Sequence, residues 1–396
     1  MSEPAARSYP ERMHGAGTGG TRWRARAAVA AALAASLLAC SAAPPGPAAG
    51  PALPGIDAEL LQESLDRLAA TGAQGVIARI TRDGQVLELR AGTARHDGAE
   101  PVPHEARFRI GSITKVFVAT VVLQLAAEGR LSLDEPVSRH LPGLLPDGDR
   151  ITARMLLQHT SGLVSYTDHV PIDPPALSSV EEFERLRHLH HAPEDLVALA
   201  TSRPLEFEPG TRFEYSNTGY VVLGMLVEAV TGKPYGRVLE ERVIAPLGLR
   251  ATSVPGGRES LPSPHAHGYE RIAGQVVDVT ELDPSIAWAA GEVVSTTADL
   301  DRFLAALLGG ELLPAEQLRQ MRRSTPVSPA YGLGLQRDTL GCGAVVEGHS
   351  GSIPGFASLA LSAPHTRTRL ELSLTTAPDA GAFRGQQELL EEVFCG

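Results

Sequence analysis

Phe108-Arg109-Ile110-Gly111-Ser112-Ile113-Thr114-Lys115 leads into Val116-Phe117-Val118-Ala119-Thr120-Val121-Val122-Leu123-Gln124-Leu125-Ala126-Ala127-Glu128, a run that is apolar on nearly every side. Such a run marks a helix buried in a domain interior, and Gly129 supplies its C-terminal stop. Ser112 and Lys115 stand three residues apart on one helical face. Ser112 falls at the helix N-terminus, where unpaired backbone N–H groups and the helix dipole favour developing negative charge. Lys115 lies one turn deeper, where desolvation lowers an amine from roughly 10.4 towards the range useful for proton transfer. Of 35 basic residues only Lys115 and Lys233 are lysine. Arginine keeps its proton in a protein, whereas a buried lysine can release it, so a lysine at 115 points to a task that needs an amine. Taken alone, S-x-x-K also arises by chance, and Lys233 sits at an ordinary helix exit.

Working outward, Asp57 to Ala70 has helical periodicity with Asp57 at the cap. Gly75 to Arg82 and Gln85 to Arg95 read as strands joined by the hairpin signal Asp83-Gly84. From Leu131 to about Ser285 helices and long loops dominate: Met155 to Leu163 reads as a helix ending at Gly162, and Asn217 to Thr231 as an amphipathic helix ending at Gly232. Asp168 to Glu194 is proline-punctuated and irregular; its His188, His190 and His191 lack H-E-x-x-H and zinc-like carboxylate spacing, so a solvated loop and no metal are expected. Strand signals return at Gly291 to Ser295, followed by helices from Thr297 to Leu308 and Pro314 to Met321. Short strands are expected at Tyr331 to Arg337, Ala344 to His349, Phe356 to Ser362 and Arg369 to Thr375, and a closing helix at Ala382 to Phe394. A sheet built from both ends of the chain around a helical insert is the economical architecture.

The 396 residues suffice for a large core, and the formal charge is -11. Residues 1–39 hold five arginines and two acids, leaving 30 basic against 44 acidic residues elsewhere, a net of -14, which argues against nucleic acid or an anionic membrane as partner. Arg22, Arg24 and Arg26 precede the apolar run 27–39, the pattern of an export signal over residues 1–39. Leu37-Leu38-Ala39-Cys40 looks like a bacterial lipobox with Cys40 as the lipidated residue; a simple cleaved signal is the alternative. Residues 40–55, rich in Pro, Ala and Gly, then form the anchor and tether. Setting Cys40 aside leaves Cys342 and Cys395, an even number in an oxidising compartment, and a bridge between them is expected, with two free buried cysteines as the alternative.

Two more motifs stand at telling places. Tyr215-Ser216-Asn217 follows the turn Glu208-Pro209-Gly210-Thr211 and begins a helix, and a phenol beside a lysine can take a proton from a serine hydroxyl. Gly348-His349-Ser350-Gly351-Ser352 ends a strand, where a backbone N–H can join that of Ser112 in an oxyanion hole. Each is weak alone, a capped surface loop and a polar turn. Their joint order, S-x-x-K, Y-x-N and H-S-G, is not.

With these motifs the chain resembles the penicillin-recognising serine hydrolases, a family of D-alanyl-D-alanine carboxypeptidases, class C β-lactamases and related esterases. The likeness is closest to the exocellular actinomycete carboxypeptidases. It runs through Arg107 to Ser112, Leu141 to Asp147, Tyr215 to Thr218, Ser285 to Trp288, Tyr331-Gly332-Leu333-Gly334-Leu335, Gly341-Cys342-Gly343 and Phe394-Cys395-Gly396. It implies an α/β (α+β) fold of β-lactamase/transpeptidase type: an antiparallel sheet flanked by helices, from 56–130 and 286–396, with an all-α insert at 131–285.

The resemblance also implies Ser112 as nucleophile, Lys115 and Tyr215 as proton carriers, and Ser112 and Ser352 N–H groups as the oxyanion hole. Asn217, Trp288, His349, Ser350, Ser352 and Arg337 would bind substrate. The expected activity is that of a serine D-Ala-D-Ala carboxypeptidase, with a class C-like β-lactamase, an esterase or D-amino-acid peptidase, and a penicillin-binding sensor as alternatives. Expected partners are peptides ending in D-Ala-D-Ala and β-lactams, with no cofactor, no metal, membrane contact only through the lipid anchor, and a monomeric state. One departure stands out. Carboxypeptidase relatives carry an arginine for the terminal carboxylate after G-L-G-L; here Gln336 takes that place, and Arg337, one position on, would point to the other face of a strand.

Overall fold

The structure, a computed structural model, describes residues 56–170, 177, 179–375 and 380–396. The export signal, Cys40 and the tether lie outside the described residues. Among the described residues no helix is long and apolar enough to cross a membrane.

The chain begins with α1 (Ala58–Ala70), whose cap Asp57 accepts hydrogen bonds from the N–H groups of Glu59 and Leu60. Strands β1 (Gly75–Arg82) and β2 (Gln85–Gly92) form the expected hairpin, and β3 (Phe108–Arg109) leads through a 3₁₀ turn at Gly111–Ile113 into the buried helix α2 (Thr114–Ala127). The helical part holds α3 (Ala153–Leu157), α4 (Val180–Leu186), α5 (Pro193–Thr201), α6 (Asn217–Thr231) and α7 (Tyr235–Leu239). Helix α6 stops where expected, at Gly232 with φ 70°. The helical insert also carries a short hairpin of β4 (Tyr269–Ile272) and β5 (Gln275–Asp278), turned at Ala273-Gly274.

The chain returns through β6 (Val294–Ser295), paired with β3, then α8 (Thr297–Gly309), capped by Thr296, and α9 (Ala315–Arg322). Strands β7 (Gln336–Thr339), β8 (Val345–Ile353), β9 (Phe356–Ser362) and β10 (Thr368–Thr375) follow, and α10 (Ala380–Cys395) closes the chain. The main sheet has the order β2-β1-β10-β9-β8-β7 and is antiparallel throughout.

Period-two alternation assigns the two faces of this sheet. Val76, Ala78, Ile80, Leu370, Leu372 and Leu374 pack on Leu61, Leu65 and Leu68 of α1 and Leu389 and Val393 of α10. Cys342 is bridged to Cys395, 53 residues apart, tying α10 to the loop before β8. On the chain-entropy account closure of such a loop contributes about 4 kcal/mol. The opposite face joins a larger core in which α2 lies at the centre, Phe117 stacking on Phe303 of α8 with ring centroids 3.7 Å apart. Helix α6 shares that core through Tyr220, Val221 and Leu223, so sheet and insert bury a common interior around α2.

Three sequence expectations are corrected. The helix read over 155–163 is only Ala153–Leu157, because His159 takes φ 57° and the chain turns towards α6. The segment read as irregular contains α4, whose cap Ser179 accepts from Glu182 N–H. The strand read at 331–337 starts only at Gln336; Tyr331 bridges back to Gln336 across a turn.

Beneath α8 the sheet carries charge. Asp301 accepts from Arg79 Nε at 3.2 Å and Arg369 Nε at 2.5 Å, while Glu371 is fully buried and, among the described residues, neither of its carboxyl oxygens has a hydrogen-bond partner. Burial, with Asp301 nearby, pushes the Glu371 carboxyl well above the usual range. A carboxyl raised on folding must take up a proton, at a cost that grows as pH rises above its unfolded value. Glu371→Gln is therefore expected to raise the melting temperature more at pH 8 than at pH 5; equal shifts at both pH values would disprove the neutral carboxyl.

Candidate active site

The site begins with the turn before α2. Gly111 has φ 51°, and a Cβ there would lie 2.7 Å from Ser352 N and 2.8 Å from Ser352 O. Gly351 is as constrained: its Cβ would fall 2.0 Å from the Ile110 carbonyl oxygen. The two glycines let β8 pass directly against the turn that presents Ser112.

Lys115 has no exposed surface. Its Nζ lies 2.7 Å from the Ala290 carbonyl oxygen, 2.8 Å from Asn217 Oδ1 and 2.9 Å from Ser112 Oγ. Burial holds the amine well below the ordinary lysine value. A neutral amine fits these neighbours: its two N–H groups donate to Ala290 and Asn217, and its lone pair faces the Ser112 hydroxyl. Tyr215 donates its O–H to Ser112 Oγ at 2.9 Å from the other side. Burial pushes the Tyr215 phenol up, only partly offset by that bond, so it too is held neutral. Ser112 Oγ thus sits between a proton acceptor and a proton donor.

Asn217 is fixed in turn. As the first residue of α6 it gives its backbone N–H to Ser165 Oγ at 3.1 Å, and its Nδ2 donates to Thr167 Oγ1 at 3.2 Å. Ser216 N–H donates to His159 Nδ1 and Glu214 N–H to the His159 carbonyl, so the loop bearing Tyr215 is held from both sides.

The third wall is the edge of β8. Strand β7 pairs with it only as far as Gln336 opposite Gly348, leaving residues 349–353 without a strand on that side. Ser350 N–H points to this edge, where Gln336 Oε1 accepts it at 2.9 Å and lies 3.3 Å from Ser350 Oγ. Ser352 N–H, two residues on, points the same way. It therefore faces the open edge beside the Ser112 turn. His349 lies inside: burial, then the nearby Lys115, lower its ring to about 3, so it is neutral, donating from Nδ1 to the Ser350 carbonyl and accepting from Tyr331 O–H at Nε2, 2.8 Å away.

Thus Ser112, Lys115, Tyr215, Asn217, His349, Ser350 and Ser352 come together. Two expected residues do not join them. Arg337 points to the buried Glu347, Nε to Oε1 3.7 Å, on the face of the strand opposite Gln336. Trp288 is half-buried with φ 36°, its indole over Gly224 of α6 and edge-on to Tyr235 at 4.6 Å; its turn contributes the Ala290 carbonyl instead. Sequence reading also missed His159, Thr167 and Tyr331. Only His159 carried a signal, as a histidine in the polar stretch Gln158-His159-Thr160-Ser161-Gly162, which was absorbed into a helix.

A serine hydroxyl between a buried amine and a phenol is the arrangement that acyl transfer through a serine requires. The Beta-lactamase family profile matches residues 60–384, and the chain belongs to that family and to its serine-hydrolase superfamily. It is similar to the D-stereospecific amidohydrolase from Streptomyces sp., with 41% identity, 86% of this chain and 99% of that one covered, and a TM-score of 0.77. The D-amino acid amidase from Ochrobactrum anthropi SV3 gives 31%, 85%, 97% and 0.74 in the same order. Esterase EstB from Burkholderia gladioli is 37% identical over 44% of this chain and 46% of its own length. The putative penicillin-binding protein PbpX from Bacillus subtilis is 29% identical over 65% of this chain and 61% of its own length. The chain thus spans about half the length of these last two relatives.

Lys115→Arg keeps a charge but loses the amine lone pair; its labelling by a fluorophosphonate at Ser112 is expected to fall to the level of a non-specific background, and near-normal labelling would remove the amine from the chemistry. Gly351→Ala is expected to slow that labelling about 10²-fold by moving β8 off the Ser112 turn, with a retained fold checked by circular dichroism.

Proposed function

We propose that this chain is a D-stereospecific amidohydrolase, a peptidase or amidase that releases an amine from a D-amino-acid acyl group through an acyl-enzyme on Ser112. The observation that carries this reading is Gln336. It stands where carboxypeptidase relatives place the arginine for a terminal carboxylate, and its side chain closes onto Ser350, while Arg337 is turned to Glu347. A short, uncharged leaving group suits such an edge better than a free carboxylate. The amidohydrolase and D-amino-acid amidase likenesses support the same reading.

In this mechanism Ser112 Oγ attacks the substrate carbonyl as Lys115 Nζ takes its proton. Ser112 and Ser352 N–H groups receive the oxyanion. As the tetrahedral intermediate collapses, the C–N bond breaks and the leaving nitrogen takes a proton from Tyr215, which recovers one from Lys115. Water then attacks the ester, giving its proton to the Tyr215–Lys115 pair, and the acid departs as Ser112 Oγ is reprotonated. Asn217 holds the substrate amide.

An acidic flank bears on the acyl side. Asp168 follows Thr167, the partner of Asn217, and burial together with Glu206 and Glu214 raises its carboxyl to about 6. Above that pH a carboxylate there favours a substrate with a free α-ammonium. The carboxypeptidase reading is supported by His349, the residue of the carboxypeptidase branch where β-lactamases usually carry lysine. For either reading the export-signal pattern of residues 1–39 and the lipobox-like Cys40 support a location outside the cytoplasm, anchored by lipid or released.

Incubation with D- and L-phenylalanine amide and with an acylated peptide ending in D-Ala-D-Ala separates the readings. Ammonia release from the D-amide, with little D-alanine from the peptide and a gain of D-alanine release in Gln336→Arg, is expected. D-alanine release as the main activity, unchanged by Gln336→Arg, would establish the carboxypeptidase instead. A penicillin adduct seen by mass that is quickly lost would favour a β-lactamase, and one that persists without turnover of any substrate a sensor. For the D-amide, KM is expected to rise as pH falls through about 6, and Asp168→Asn to abolish that rise.

A further inference from the structure

His159 is fully buried, adopts φ 57° and takes no part in the steps of the mechanism above. Histidine tolerates the left-handed region better than most side chains, yet the conformation still carries strain. The ring lies against the Tyr215 ring, centroids 4.2 Å apart and planes 31° from parallel, and edge-on to Tyr331 at 4.7 Å. Its Nδ1 accepts the Ser216 N–H at 3.2 Å, and its carbonyl accepts the Glu214 N–H at 2.9 Å. One residue therefore grips the backbone on both sides of Tyr215 and the face of its ring.

Because Nδ1 is an acceptor, the neutral ring carries its hydrogen on Nε2, and among the described residues that atom has no hydrogen-bond partner. Burial and the nearby Lys115 and His349 also disfavour a charged ring. Left-handed backbone, full burial and an unbonded donor each lower stability, and together they mark a residue kept for function. A phenylalanine would stack equally well without the orphan donor but could not hold Ser216; an asparagine would hold Ser216 and tolerate the backbone but not stack.

We propose that His159 is a positioning residue that fixes the Tyr215 phenol on Ser112 Oγ, so that Tyr215 can protonate the leaving nitrogen. This inference rests on the reading of Ser112, Lys115 and Tyr215 given above. It predicts a selective defect. An amide needs a proton on its leaving nitrogen, whereas a nitrophenolate leaves without one, so a misplaced Tyr215 harms amides more than activated esters.

The test compares D-phenylalanine p-nitroanilide with the D-phenylalanine p-nitrophenyl ester for His159→Phe and His159→Asn, each also in a Tyr215→Phe background. For His159→Phe, kcat/KM on the anilide, which reads acylation, is expected to fall about 10²-fold with a much smaller loss of kcat/KM on the ester. His159→Asn is expected to show the same bias, and it carries the test if the phenylalanine variant does not fold. In Tyr215→Phe neither substitution should lower anilide turnover further. Equal losses on ester and anilide, or losses that add to Tyr215→Phe, would reduce His159 to a folding role and overturn the proposal alone. A wild-type chain that turns over neither substrate and is not acylated at Ser112 would overturn the functional reading as well.

Discussion

Everything near Ser112 depends on a lysine amine with no access to water. Lys115 Nζ is met by a carbonyl from the turn at Ala290, an amide oxygen from the start of α6 and the hydroxyl of Ser112. These three belong to segments far apart in the chain, and the amine joins them at one point. Burying a cation there would be costly without a carboxylate partner. A neutral amine there would satisfy both carbonyl-type oxygens and leave a lone pair for the serine, and burial shifts the amine in that direction.

The surroundings hold that amine in place. Helix α2 is apolar on all sides because it lies between the sheet and the helical insert, with α8 stacked on it through Phe117 and Phe303. Glycines at 111 and 351 bring β8 to within van der Waals limits of the serine turn. Asn217 reaches the amine and Tyr215 the serine hydroxyl because α6 starts at Asn217 and the preceding loop is gripped by His159. Two of the five non-glycine residues with positive φ among the described residues, His159 and Trp288, lie in segments that build the site.

Much of this was legible in the chain. The S-x-x-K spacing placed Ser112 and Lys115 on one helical face, the Asp83-Gly84 turn gave β1 and β2, and Gly232 gave the end of α6. Phe356–Ser362 was read to the residue. The misreadings have local causes. Tyr331 to Leu335 has the apolar content of a strand, but Gly334 at φ 78° folds it into a turn that seats Tyr331 on His349. Residues 155–163 have helical periodicity, and propensity yielded to the tertiary need for a left-handed residue at 159.

By itself the sequence determined the order of elements, the buried helix at the centre and the placing of Ser112 and Lys115 on one helical face, because these depend on periodicity and spacing within short segments; the family was legible through the resemblance its motifs carry. The tertiary structure alone decided which partners that pair receives. That Ala290 offers its carbonyl and that His159 clasps Tyr215 follow from the packing of segments 50 or more residues apart, as the separations of 175 for Lys115 with Ala290 and 57 for His159 with Ser216 show. Periodicity fixes which face a side chain takes; only the closed core fixes what lies opposite it.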